Sequence, residues 1–139
     1  MVSSAYWLSG MSSCVTAAGV RMPERPILVV EDNTDTSQAL VRLLNLQGYK
    51  TVVVRDGEDA LAYLRDGGAA CLILLDLSLP RMGGEQFHAE QMKDPKLASI
   101  PVVVFTGTKR RLPDVAAHLQ KGDDPSDVLT VIAKACLKD

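Results

Sequence analysis

The sequence predicts a doubly wound α/β sandwich, a parallel sheet with helices on both faces. Three observations carry this expectation. Short apolar runs recur along the chain, at Ile27-Leu28-Val29-Val30, Val52-Val53-Val54, Cys71-Leu72-Ile73-Leu74-Leu75 and Val102-Val103-Val104-Phe105. Runs of this length without polar alternation read as strands buried on both faces of a parallel sheet. Between them lie segments with helical spacing, so strand and helix alternate, and right-handed crossovers then place helices on both faces. Finally, acids fall at strand ends: Glu31-Asp32 after the first apolar run and Asp76 after the third.

Composition agrees. In 139 residues, 47% hydrophobic, one domain with a real core is expected. Aromatics make up only 4%, so Val, Leu, Ile and Ala must fill that core. A net charge of −2 gives no basic footprint for nucleic acid. No apolar run approaches the roughly 18 residues of a membrane span. Cys14, Cys71 and Cys136 are widely spaced and odd in number. They read as small buried hydrophobes or a bystander thiol in a reducing cytoplasm, not as a disulfide or zinc framework.

Residues 1–22 stand apart. They are rich in Ser, Ala and Gly, carry no charge before Arg21 and show no periodicity. A secretory signal would need a basic start and a solid apolar core. The expectation is a disordered tail or an overlong start, with Met22 as an alternative first residue and residues 23–139 as the folded domain. From Pro26 the elements follow in order. The first strand is 27–30. Asn33, Thr34 and Asp35 offer caps for a helix whose apolar face is Ala39, Leu40, Leu43, Leu44 and Leu46, closed by Gly48. Thr51–Val54 is the second strand, and Asp56-Gly57 opens a helix carrying Ala60, Leu61 and Leu64. The strand ending at Asp76 comes next, and Pro80 and Gly83-Gly84 turn the chain into a helix from Glu85 to about Lys93, stopped by Pro95. Pro101 to Thr106 is the fourth strand, residues 116–120 the fifth. Asp124-Pro125-Ser126-Asp127 starts the final helix, with Val128, Leu129, Ile132, Ala135 and Cys136 on one face.

In a sheet of order 2-1-3-4-5 the first and third strands are neighbours at the switch point, so Glu31, Asp32 and Asp76 converge on the carboxyl edge where such sheets bind ligands. Three carboxylates that close need a counter-charge. A hard divalent cation answers this, and Mg²⁺ suits an open oxygen site. A solvated acidic turn is the alternative reading.

The motifs ILVVEDN, GYKTVVVRDGEDAL, LILLDLSLPRMGG and VVVFTGT together resemble the receiver domain of two-component response regulators. The resemblance runs from about Pro26 to Lys138, and it includes Pro80 and Gly84 at their family spacings after Asp76. It implies a flavodoxin-like three-layer (βα)5 sandwich. Asp76 is implied as phospho-acceptor from a histidine kinase or a histidine phosphotransfer protein. Mg²⁺ would be held by Asp32, Asp76 and the carbonyl of Ser78, with Glu31 acting through water. Thr106 would bond a phosphoryl oxygen and Lys121 would pair with the phosphoryl group. The chain would be a cytoplasmic signalling switch, not a metabolic enzyme.

Two departures accompany it. Gly122 follows Lys121 where the family usually has a proline in a cis bond, and glycine lacks proline's low cost for cis. Fourteen residues separate Thr106 from Lys121, and the fifth strand uses several. A crossover with a full helix needs at least about 10–12, so the fourth helix is expected to be shortened or absent. His118 stands where the family usually has an aromatic switch residue. A neutral imidazole could take that rotameric part; a surface residue is the other reading. The functional expectation is a stand-alone receiver acting on an unidentified downstream protein. The alternative is an interaction module indifferent to phosphorylation. A phosphatase with an aspartyl nucleophile fits poorly, because such enzymes place a second acid where this chain has Ser78.

Overall fold

The computed structural model describes residues 22–136. Five parallel strands form one sheet in the order β2-β1-β3-β4-β5, with β1 Ile27–Val30, β2 Thr51–Val54, β3 Leu72–Leu75, β4 Val102–Thr106 and β5 Ala117–Gln120. The helices are α1 Thr34–Leu46, α2 Gly57–Arg65, α3 Gly84–Lys93, the single turn α4 Pro95–Ala98, and α5 Pro125–Cys136. The expected sandwich and strand order are therefore present.

Side-chain alternation along the buried strands splits the core in two. On one face Ile27, Val29, Leu72, Leu74, Val103 and Phe105 pack with Leu40 and Leu44 of α1 and Val128 and Ile132 of α5. On the other, Leu28, Val30, Ile73, Leu75, Val102 and Val104 pack with Ala60, Leu61 and Leu64 of α2 and Phe87 of α3. Each large side chain so buried stabilises the fold by roughly 1.5–3 kcal/mol relative to exposure. Pairing β1 to β3 in register (Val30 opposite Leu75) sets Glu31 and Asp76 side by side one residue later.

Local chemistry explains the element ends. Asn33 caps α1 by accepting the Thr36 N–H at 2.9 Å, and Asp56 caps α2 by accepting the Asp59 N–H at 2.9 Å. Proline at 95 does end α3, and it also begins α4, where Asp94 accepts the Lys96 N–H. Of the α1 face expected from the sequence, Leu40 and Leu44 are buried, whereas Ala39 and Leu46 are exposed.

One boundary differs from expectation. Met22, grouped with the tail by sequence, is 4% exposed and joins the core against Leu44, Tyr49 and Ile27. The rest of residues 1–22 lies outside the described residues. Between β4 and β5, residues 107–116 form no helix at all, and Leu112 and Val115 pack on the sheet face in its place.

Candidate functional site

The carboxyl edge gathers the expected acids. One carboxylate oxygen from each of Glu31, Asp32 and Asp76 lies within 4.8 Å of the others. Glu31 and Asp76 are both 3% exposed, and Asp32 is half-buried. Buried charge of one sign needs compensation, and Lys121 supplies it. Its Nζ stands 2.7 Å from Glu31 Oε1 and 3.2 Å from Asp76 Oδ2. The Lys121–Glu31 approach is ionic and not aligned as a hydrogen bond, so buried Glu31 Oε1 has a charge partner but no directed donor. Burial raises the Glu31 carboxyl above its ordinary range, and the Asp76 charge adds to this against the pull of Lys121 and the Asn33 N–H. Burial pulls Lys121 down, but its contacts with Glu31 and Asp76 outweigh that and hold the ammonium above its ordinary value.

Asp76 is engaged on both oxygens. Oδ1 accepts the backbone N–H of Ser78 at 3.2 Å, and Oδ2 accepts from Lys121. Its own N–H donates to Val30 O at 3.1 Å, which locks the strand end to β1. Behind it, α3 begins so close that a Cβ on Gly84 would fall 2.6 Å from the Asp76 carbonyl oxygen and 2.8 Å from Leu77 Cα. Only glycine lets the helix start there.

Thr106 ends β4 and is 2% exposed. Its hydroxyl lies 3.4 Å from that of Thr108, and its carbonyl accepts the Lys121 N–H at 3.0 Å. The backbone thus ties the threonine to the lysine. Gly122 has φ +101 and the described residues contain no cis peptide bond. Lys121 is turned toward the acids by a left-handed glycine in place of a cis-proline.

His118 sits away from the acids. It is half-buried, and its Nε2 accepts the Leu112 N–H at 3.0 Å, pinning the β4–β5 loop. Burial depresses the imidazole below its ordinary value, and the charge of Arg111 adds to this.

The pairings of two arginines were not foreseen by sequence reading. Arg110 donates to Ser78 Oγ at 3.0 Å and pairs with Glu85 at 2.9 Å, which ties the β4–β5 loop to the loop after Asp76 and to the start of α3. Arg81, at φ +58, clamps the buried cap Asp56 and reaches Asp59 at 3.4 Å, which docks the loop after Asp76 onto α2. With the Arg81 contacts and the Asp59 N–H, Asp56 is held below the usual carboxylate range despite burial. No spacing rule foretells such pairs, because they join separate loops.

A parallel doubly wound sheet in the order 2-1-3-4-5 with acids gathered at its carboxyl edge is the receiver fold, and the chain belongs to the response regulator receiver domain family, whose model matches residues 27–130. Among its relatives is response regulator Rcp1 of Synechocystis, 37% identical over 106 residues, covering 70% of this chain and 71% of Rcp1. Sensory transduction protein RegX3 of Mycobacterium tuberculosis is 35% identical over 98 residues, but the match covers only 41% of that protein. Among solved structures, the phosphorylated cyanobacterial phytochrome response regulator RcpA superposes with TM-score 0.68 at 30% identity, covering 82% of this chain and 94% of that one. The Mn²⁺-bound form of Rcp1 gives TM-score 0.69 at 30% identity, covering 82% and 95%. Among the described residues no helix is long and apolar enough to cross a membrane.

Proposed function

We propose that Asp76 accepts a phosphoryl group from a phosphohistidine on a kinase or phosphotransfer protein in the cytoplasm, and that the chain passes this state on through protein contacts. The observation that carries this reading is Lys121, which reaches both Asp76 and Glu31 from the far side of the sheet. One Asp76 oxygen attacks phosphorus, the P–N bond to the donor imidazole breaks, and an acyl phosphate forms while the imidazole leaves with the electron pair. Lys121 then moves its ammonium from the carboxylate to a phosphoryl oxygen, and Thr106 offers its hydroxyl to another. The protein's share of such chemistry is positioning and charge neutralisation.

The donor set suits a divalent cation: three oxygen acids within 4.8 Å, one of them buried without a directed donor. Asp32, Asp76 and the Ser78 carbonyl would hold Mg²⁺ or Mn²⁺, with Glu31 through water. The ion would supply charge neutralisation at the phosphoryl oxygens. That Rcp1 has been solved with Mn²⁺ and RcpA phosphorylated supports the same assignment here.

Incubation with acetyl phosphate and Mg²⁺ should add one phosphate that base and hydroxylamine remove, and Asp76→Asn should abolish it, as read by intact mass. Uptake in the variant would displace Asp76 from the role. No uptake in the parent would favour the interaction-module reading, for which the missing β4–β5 helix is the specific observation. We further expect the phosphoryl group to act mainly on residues 107–112, because Arg110 already bridges Ser78 and Glu85 beside the acceptor. Amide exchange with and without beryllofluoride in Mg²⁺ should show larger changes there than along α5.

A further inference from the structure

Cys71 and Cys136 are 65 positions apart, yet the fold brings their sulfurs to 2.7 Å. Both are free thiols. Neither is carried by a loose segment. The Cys71 N–H donates to Pro26 O at 2.9 Å immediately before β3, and Cys136 is the last residue of α5, whose Val128 and Ile132 are buried in the core. Two rigid elements therefore aim their sulfurs at each other at the amino edge of the sheet, the edge opposite Asp76. A thiol is a weak donor and a weak acceptor, so a hydrogen bond alone offers little reason for so near an approach. Buried Tyr49 shares the cluster. Its hydroxyl is pushed up to about 12, by burial first and then by the two sulfurs, so it stays a neutral neighbour.

We propose that Cys71 and Cys136 are a redox pair that closes to a disulfide under peroxide and reopens with a dithiol, stapling the end of α5 to the start of β3. The step balances as follows. A thiolate attacks peroxide, an S–O bond forms as the O–O bond breaks, and hydroxide leaves to take up the thiol proton as water. The second thiol attacks the resulting sulfenic sulfur, the S–S bond forms, the S–O bond breaks, and a second water leaves. Both sulfurs are oxidised by one electron each and the peroxide is reduced by two. Cys71 is the better first nucleophile: its contact with Cys136 holds its thiol below the ordinary range, against burial and with help from Arg25. Cys136 is correspondingly pushed up by the same contact and by burial. The half-buried Cys136 at a helix end gives the oxidant its way in. Disulfides that form transiently in reducing compartments are characteristically redox-sensing ones.

The test uses the full chain, reduced, desalted and then treated with stoichiometric hydrogen peroxide. Thiols available to iodoacetamide after unfolding should fall from three to one, intact mass should drop by two hydrogens, and a peptide map should join 71 to 136. Because the staple constrains a long loop in the unfolded chain, the melting temperature should rise by roughly 10 °C and return on adding dithiothreitol. Cys136→Ser should keep its thiols and show no rise, while Cys14→Ser should behave like the parent. Cys136→Ser alters only a half-buried position, so it carries the test even where Cys71→Ala fails to fold. Three thiols persisting, a sulfinic product, or a dimer linked through Cys14 would each overturn the proposal.

Discussion

The two sides of the sheet reach the same edge by different means. On the β1–β3 side every strand is followed by a packed helix, and the loop after Asp76 is held by backbone bonds, a glycine contact and the Arg81 clamp. On the β4–β5 side the crossover has no helix, and a loop lies down on the sheet through Leu112, Val115 and one bond to His118. Yet Lys121 still reaches the acids, because strand pairing and its N–H bond to Thr106 set its height without help from a helix. The comparison separates two jobs. Sheet register sets where Lys121 stands beside Asp76, whereas the crossover covers apolar surface and brings Arg110 to Ser78 and Glu85.

The largest effect is expected on the rigid side. Gly84→Ala places a methyl against the Asp76 carbonyl and Leu77, backbone that cannot yield without moving Asp76. A loss of about 3 kcal/mol is expected, measured by urea unfolding, together with slower uptake from acetyl phosphate. A neutral result would mean that the β3–α3 junction is softer than its contacts imply, and the contrast between the two sides would weaken.

Next in size is Met22. Its side chain fills core volume beside Leu44 and Tyr49, so Met22→Ala should cost about 2 kcal/mol. A chain beginning at residue 23 should lose a similar amount by the same denaturant measurement, and no loss would return Met22 to the tail.

Much of this was legible. Buried strands announce themselves as apolar runs, and caps such as Asn33 and Asp56 occupy recognisable positions, so the elements followed from local rules, while strand order and the acid cluster followed from the fold class and the family resemblance. The crossover's length alone foretold the missing helix. What could not be read were contacts between side chains far apart in sequence. Arg81 on Asp56, Arg110 on Ser78 and Glu85, and Cys71 beside Cys136 depend on where loops and helix ends land. Met22 was missed for a related reason: one apolar residue before a proline carries no periodicity, and only the groove near Gly48 gives it a place.

The smallest effect, and the sharpest probe of the loop side, is at His118. Its Nε2 can accept the Leu112 N–H only while unprotonated. Burial, aided by Arg111, lowers its folded pKa below the ordinary 6.5. The unfolded chain therefore takes up the proton first, and stability must fall as pH drops. The contribution is complete above the unfolded value and is lost as pH descends through 6.5 toward the lower folded one. Losing the bond should cost about 1 kcal/mol. His118→Gln should retain an acceptor but flatten this part of the pH profile, whereas His118→Phe should flatten it and free the Leu112 amide to exchange at all pH values. Denaturant unfolding between pH 5 and 8, with amide exchange at Leu112, reads both. If protection at Leu112 is independent of pH in the parent chain, the loop is held by Leu112 and Val115 packing alone, and His118 is only a bystander.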